Sequence, residues 1–150
     1  MWYRKNRLGV KIRKPNRQIT ANLNYMKQSD YSDVFVSYRR INKEFAQQID
    51  QAFKDAGREV WIDYEDIPPG SSDFNDDIER GIAGADAFIA ILTPEYLRSP
   101  YTMAELEYAV QCNKRIIPLV LEKFDQTSLE IPSIISHINW IYFTPHVGEI

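Results

Sequence analysis

The chain has 150 residues, 44% of them hydrophobic and 26% charged, with a formal charge of −3; this balance suits one folded domain and excludes an intrinsically disordered chain. No apolar run approaches the ~18 residues needed to span a bilayer, and Met1-Trp2-Tyr3-Arg4-Lys5 leads into charged sequence rather than an apolar signal core. The lone Cys112 excludes an intrachain disulfide and a cysteine-based structural zinc site, and it fits a reducing, cytoplasmic setting.

The charge is unevenly placed. Arg4, Lys5, Arg7, Lys11, Arg13, Lys14 and Arg17 all precede the first acid, Asp30. Residues 1–30 therefore read as a basic, loosely ordered extension, either simply solvated or suited to contact with an acidic surface such as a neighbouring copy. Residues 31–150 read as the folded domain. Its acidic balance argues against general binding to a phosphate backbone, so no nucleic-acid partner is expected for the body.

From Asp33 onward, short apolar runs alternate with segments of helical spacing, the pattern of an α/β fold with a parallel sheet. Asp33 to Tyr38 is a first strand. Phe45, Ile49, Ala52 and Phe53 then mark a helix ending before Gly57, which suits the left-handed position past a helix terminus. Glu59 to Asp63 is a second strand, and Tyr64 to Ser72 is a loop, because Pro68-Pro69-Gly70 continues neither strand nor helix. Ser71 or Ser72 caps the next helix, whose inner face is Phe74, Ile78 and Ile82.

Asp86 to Leu92 is nearly all apolar, as expected of a central strand covered on both sides. Thr93-Pro94 and Ser99-Pro100 each place a capping side chain before a proline suited to the first helical position. The second of these helices runs to about Asn113. Ile116 to Leu121 gives a fourth strand, with Pro118 suited to an edge or strand end, and Ile138 to Phe143 a fifth. Seven residues follow Phe143, too few for a helix covering that strand, so the domain is expected to lack its last helix or to be truncated before it.

Three stretches within this framework resemble the TIR (Toll/interleukin-1 receptor) domain family, over Asp33 to about Phe143. Asp33-Val34-Phe35-Val36-Ser37-Tyr38-Arg39-Arg40 is similar to the family's opening strand and Ser-Tyr-Arg turn. Val60-Trp61-Ile62-Asp63-Tyr64-Glu65-Asp66-Ile67-Pro68-Pro69-Gly70 resembles the second strand and its loop, where an Asp leaving the strand and a Gly closing the loop recur. Ser99-Pro100-Tyr101-Thr102-Met103-Ala104-Glu105-Leu106-Glu107-Tyr108-Ala109 resembles the segment bearing the essential glutamate of catalytic members, and Glu105 matches it. Many members carry Trp and Cys shortly before that glutamate; here Tyr101 and Met103 stand there.

The resemblance implies a flavodoxin-like five-stranded parallel sheet with helices on both faces, and cleavage of the nicotinamide–ribose bond of NAD+ to ADP-ribose or a cyclic ADP-ribose-type signal. Nicotinamide is already a cationic leaving group, so the chemistry needs a carboxylate that favours the developing oxocarbenium ion rather than a strong acid. Glu105 and Glu107 lie ~200° apart on a helix at ~100° per residue, on either side of the stripe Met103, Leu106, Ala109 and Val110. Spacing alone leaves both open; the resemblance selects Glu105 as the catalytic residue, with Tyr101 one turn earlier as a stacking surface.

Arg39 follows a strand end, where it either grips a phosphate of the dinucleotide or pairs with Asp63 or Glu65. Pro69-Gly70-Ser71-Ser72 is a further candidate anion cradle, opposed by Asp73, Asp76 and Asp77 in the following turn. Arg39, Tyr101, Asp63, Gly70 and Ser71 are thus the expected substrate contacts. No dinucleotide-binding glycine fingerprint and no P-loop occurs, so NAD+ enters as substrate and no cofactor is expected. His137 and His146 lack metal-ligand spacing, and no metal is expected. Phe35 and Trp61 read as core, and Cys112 as a packing residue.

The family also implies TIR–TIR contacts, activation by self-assembly and a role in antiphage or immune defence. A catalytically silent adaptor signalling by TIR–TIR contact is the alternative. A receiver-like phosphorylation switch built on Asp33, Asp63 and Asp86 fits poorly, since neither Lys114 nor Lys123 is placed for it.

Overall fold

The computed structural model describes residues 3–5, 11–13, 31–62 and 72–143, with side chains from residue 31 onward except those of 72–75. The chain divides into two compact units, Met1–Asp30 and Tyr31–Ile150. In the first, β1 (Tyr3–Lys5) pairs antiparallel with β2 (Lys11–Arg13).

The second unit runs β3 (Ser32–Ser37), α1 (Lys43–Asp55), β4 (Val60–Ile62), α2 (Ser72–Gly84), β5 (Ala85–Leu92), α3 (Pro94–Arg98), α4 (Pro100–Gln111), β6 (Arg115–Val120), α5 (Ser133–Ser136) and β7 (Ile141–Tyr142). Its five strands are all parallel, in the order β4-β3-β5-β6-β7. The chain leaves β3 in one direction to reach β4, then crosses back to β5 on the other side. Right-handed crossovers in opposite directions put their helices on opposite faces. Accordingly Val34, Val36, Ile89 and Ile91 pack with Phe45 and Ala46 of α1, whereas Phe35, Phe88, Ala90 and Leu92 pack with Ile78 and Ile82 of α2, Leu106 and Ala109 of α4, and Ile135 of α5. The strict alternation of these strand residues is the period of two that a sheet covered on both faces demands.

The expected core residues Phe35 and Trp61 are stacked at 4.7 Å, and Phe88 continues the stack on Phe35 at 5.4 Å. This fixes one glycine. A Cβ on Gly81 of α2 would lie 2.6 Å from Trp61 Cε2, so only glycine lets that helix approach the indole.

Helix ends follow the sequence signals. Gly57, at φ +70°, closes α1 with Gly57 N–H donating to Lys54 O and Arg58 N–H to Phe53 O, each 2.9 Å. Asn113, at φ +54°, does the same for α4 through Val110 O and Ala109 O. Thr93 caps α3 by accepting from Tyr96 N–H at 3.1 Å.

Three expectations need correction. Ser99 occupies the N-cap position of α4, yet its side chain makes no capping bond; it serves another partner, described below. Pro118 is buried within β6, which is an internal strand. The proline is tolerated because pairing with β7 begins only at Leu119, so at Pro118 the strand has a neighbour on the β5 side alone. Val110, expected in the apolar stripe of α4, is 36% exposed, and Thr102 is buried instead. No helix among the described residues is long and apolar enough to cross a membrane.

Candidate functional site

In an open α/β sheet the crevice for ligands forms beyond the carboxyl ends of the strands, where the direction of winding reverses, because the diverging connections leave room there. Here that point lies between β3 and β5. Ser37 ends β3 and Thr93 follows β5; α3 and α4 then fold back over the same edge.

Polar side chains collect at this edge and are buried, which requires that they satisfy one another. Ser37, Thr93, Ser99 and Thr102 are each at most 6% exposed, and Tyr96 is fully enclosed. Thr102 Oγ1 donates to Tyr96 O at 2.6 Å, with Ser99 O at 3.2 Å. Ser37 Oγ lies 2.8 Å from the Tyr96 hydroxyl and donates to Glu105 Oε2 at 2.5 Å. Burial and the nearby Glu105 charge push the Tyr96 hydroxyl well above the usual tyrosine range, so it stays protonated.

Glu105 is half-buried on α4 and tied to the end of β3, while Glu107 of the same helix is exposed. Arg39, in the turn after β3, donates from Nη1 to Ser99 Oγ at 2.9 Å. The hydroxyl expected to cap α4 thus holds the arginine at the start of that helix. The structure therefore brings Arg39 and Glu105 to one edge of the sheet, through Ser99 and Ser37 respectively. Tyr101 lies one turn before Glu105 and is 52% exposed. Asp63, Gly70 and Ser71, with the rest of the loop before Ser72 and with His146, lie outside the described residues.

The opposite edge has different chemistry. Asp33, at the start of β3, accepts from Glu59 N–H at 2.7 Å and from Arg58 Nη1 at 3.3 Å. Asp86, at the start of β5, accepts from the Tyr31 hydroxyl at 3.0 Å, and Lys114 Nζ donates to Ala83 O. Two of the three aspartates that invited comparison with a phosphorylation switch thus sit at the amino ends of their strands, away from the crevice.

Ser37, Tyr96 and Thr102 are the residues of this edge that the sequence did not single out by role, and Ser99 was singled out only as a helix cap. Ser37 had one signal, a hydroxyl closing an otherwise apolar strand. An open cleft of about 560 Å³ lined by Val120, Lys123, Phe124, Gln126, Trp140 and Tyr142 lies at the β6–β7 end of the sheet and includes neither Arg39 nor Glu105. Buried polarity, not concavity, marks the candidate site.

A sequence model of the TIR domain matches residues 34–149. The chain belongs to the TIR family. No curated protein sequence matches it. Solved structures similar to this TIR domain include the TIR domain of the Toll-related receptor TRR-2 from Hydra magnipapillata, at 18% identity and TM-score 0.61 over 75% of this chain and 84% of that one. A TIR-STING receptor from C. gigas aligns at 20% identity and TM-score 0.59, covering 75% of this chain and 38% of the receptor. The CMP N-glycosidase BcmB of Clostridium botulinum aligns at 22% identity and TM-score 0.54, over 73% and 87%. These likenesses establish the shared fold.

Proposed function

We propose that this TIR domain cleaves the bond between nicotinamide and ribose in NAD+, with Glu105 as the catalytic carboxylate. The observation that carries the reading is the placement of Glu105: half-buried at the topological switch point, one oxygen held by Ser37. A carboxylate fixed there meets the requirement of the reaction. The C1′–N bond breaks with its electron pair leaving on nicotinamide, which thereby becomes neutral, and C1′ takes on oxocarbenium character. Glu105 accepts hydrogen bonds from the ribose hydroxyls and offsets that charge more strongly in the transition state than in the ground state. Water then adds to C1′ and loses a proton, giving ADP-ribose, or the substrate's own adenine closes a cyclic product.

Arg39 supplies the complementary charge. Its guanidinium has donors beyond the Nη1 bond to Ser99, and the first turn of α4 carries no acid and no side-chain cap, so a substrate phosphate meets both the arginine and the positive end of the helix. Tyr101 offers a stacking face, and Asp63, Gly70 and Ser71 are the further substrate contacts that the family resemblance implies. NAD+ is consumed as substrate, without a cofactor or metal. The relatedness in fold to an N-glycosidase supports the reaction class.

Activity depends on assembly of copies through TIR–TIR contacts, a reading supported by the TIR domains of the Roq1 resistosome, which align at 18% identity and TM-score 0.52 over 61% of this chain and 58% of that one. Such an enzyme serves in antiphage or immune defence in the cytoplasm. The basic extension supplies a contact for the acidic body of a neighbour.

The test is incubation of the purified chain with NAD+ over a dilution series, resolving nicotinamide, ADP-ribose and cyclic products by chromatography. Nicotinamide release that rises more than proportionally with enzyme and disappears in Glu105→Ala supports the reading. Intact NAD+ at every concentration overturns it and leaves the adaptor.

A further inference from the structure

Tyr96 is the one tyrosine of the described chain that is wholly enclosed, and the reaction outlined above makes no use of it. Its burial is costly unless its hydroxyl is satisfied, and the hydroxyl is satisfied by Ser37. The direction of that bond follows from proton counting. Ser37 Oγ has one proton and two neighbours, Tyr96 Oη at 2.8 Å and Glu105 Oε2 at 2.5 Å. An ionised carboxylate only accepts, and two bare oxygen acceptors at that distance would repel. The Ser37 proton therefore belongs to Glu105, and Tyr96 must donate to Ser37. Tyr96 can always do so, because burial keeps its hydroxyl protonated.

The base of this chain of donors is rigid. Tyr96 N–H donates to Thr93 Oγ1 at 3.1 Å, and Tyr96 O accepts from Thr102 Oγ1 at 2.6 Å and from Ser99 N–H at 3.2 Å. The corner between α3 and α4 is thereby locked to the strand end before the glutamate is reached.

Resting on the NAD+ reading above, we propose that Tyr96 and Ser37 are positioning residues for Glu105: Tyr96 Oη donates to Ser37 Oγ, which commits its proton to Glu105 Oε2 and fixes that oxygen against the end of β3. Neither residue touches substrate. Each donor polarises the next, so the effect of Tyr96 reaches the carboxylate through Ser37. A carboxylate already oriented needs no rearrangement as charge develops on the sugar, so the contribution appears in the chemical step rather than in substrate binding.

The experiment uses the full chain in four forms: wild type, Ser37→Ala, Ser37→Cys and Tyr96→Phe. Ser37→Ala is expected to lower kcat for NAD+ about tenfold to a hundredfold, with KM within about threefold. Ser37→Cys, slightly larger but keeping a weak donor, falls between alanine and wild type, and Tyr96→Phe loses roughly threefold to tenfold. A purely structural role would move alanine and cysteine together and in step with their melting temperatures. A second readout needs no turnover: the carbon-13 titration of the Glu105 carboxyl shifts to higher pH in Ser37→Ala and, less, in Tyr96→Phe, because a donor to the ionised form has been lost. If wild type leaves NAD+ intact, the cleavage reading falls and the titration still decides the relay. An unmoved titration, or a loss confined to KM, overturns the relay even where NAD+ is cleaved.

Discussion

The two edges of one sheet handle polarity in opposite ways. At the amino edge, Asp33 and Asp86 meet Arg58, Glu59 N–H and Tyr31 in exposed surroundings, where water would serve these groups nearly as well and an ion pair contributes little. At the carboxyl edge, Ser37, Thr93, Tyr96, Ser99 and Thr102 are withdrawn from water and bonded to one another, and the network ends on Glu105 and Arg39. An apolar core of the same shape would be cheaper to build, since every buried donor and acceptor must find a partner. The edge that bears this cost is also the one where the winding of the fold leaves a crevice. Local stability accounts for the first arrangement; the second holds two charged side chains in fixed places.

The contrast is sharpened most by removing a member of the buried network. Thr102→Val keeps the shape but leaves Tyr96 O and Ser99 O without the hydroxyl, and is expected to cost about 1–3 kcal/mol in a urea melt. It should also lower NAD+ turnover, because the corner carrying Tyr96 loosens. A Thr102→Val protein as stable and as active as wild type would show that the network is incidental.

Alkaline titration gives an effect of about 1.4 kcal/mol per pH unit. The Tyr96 hydroxyl has its folded-state pKa raised, chiefly by burial. Its contribution is thus fully present below the unfolded tyrosine value of about 10 and is lost as pH rises toward the folded one, since only the unfolded state releases the proton. Above about pH 10 stability should fall more steeply in wild type than in Tyr96→Phe, the difference between the two slopes approaching that limit as pH rises to about 11.5. Identical slopes would mean that Tyr96 ionises in the folded protein.

The smallest effect belongs to the amino edge. Arg58→Ala removes an exposed partner of Asp33 at 3.3 Å and should change stability by less than about 1 kcal/mol and leave NAD+ turnover untouched. A larger loss would erase the distinction between the two edges.

The sequence made much of the fold legible because its signals are local. The short apolar runs in β3 and β5, the Thr93-Pro94 cap and Gly57 past α1 each act within a few residues, and each element formed where those signals lie. Pro118 misled because its tolerance depends on how far the neighbouring strand reaches. Ser99 misled because a long-range partner, Arg39, outcompeted the helix end for its hydroxyl. Glu105 was separable from Glu107 only through family likeness; spacing placed both beside the apolar stripe, and it is the half-burial of one and the exposure of the other that distinguishes them in the fold. The relay was not legible at all. Ser37 lies 59 positions from Tyr96 and 68 from Glu105, and only the crossover from β4 back to β5 brings them together.

In the proposed reaction one fixed carboxylate at the carboxyl edge performs the chemistry. The most direct measurement compares kcat/KM for NAD+ in Glu105→Gln and Glu107→Gln, both of which keep side-chain shape and remove charge. Glu105→Gln should abolish nicotinamide release to the limit of detection, while Glu107→Gln, altered on an exposed face, retains most of it. Equal losses in the two variants, or turnover preserved in Glu105→Gln, would contradict the claim.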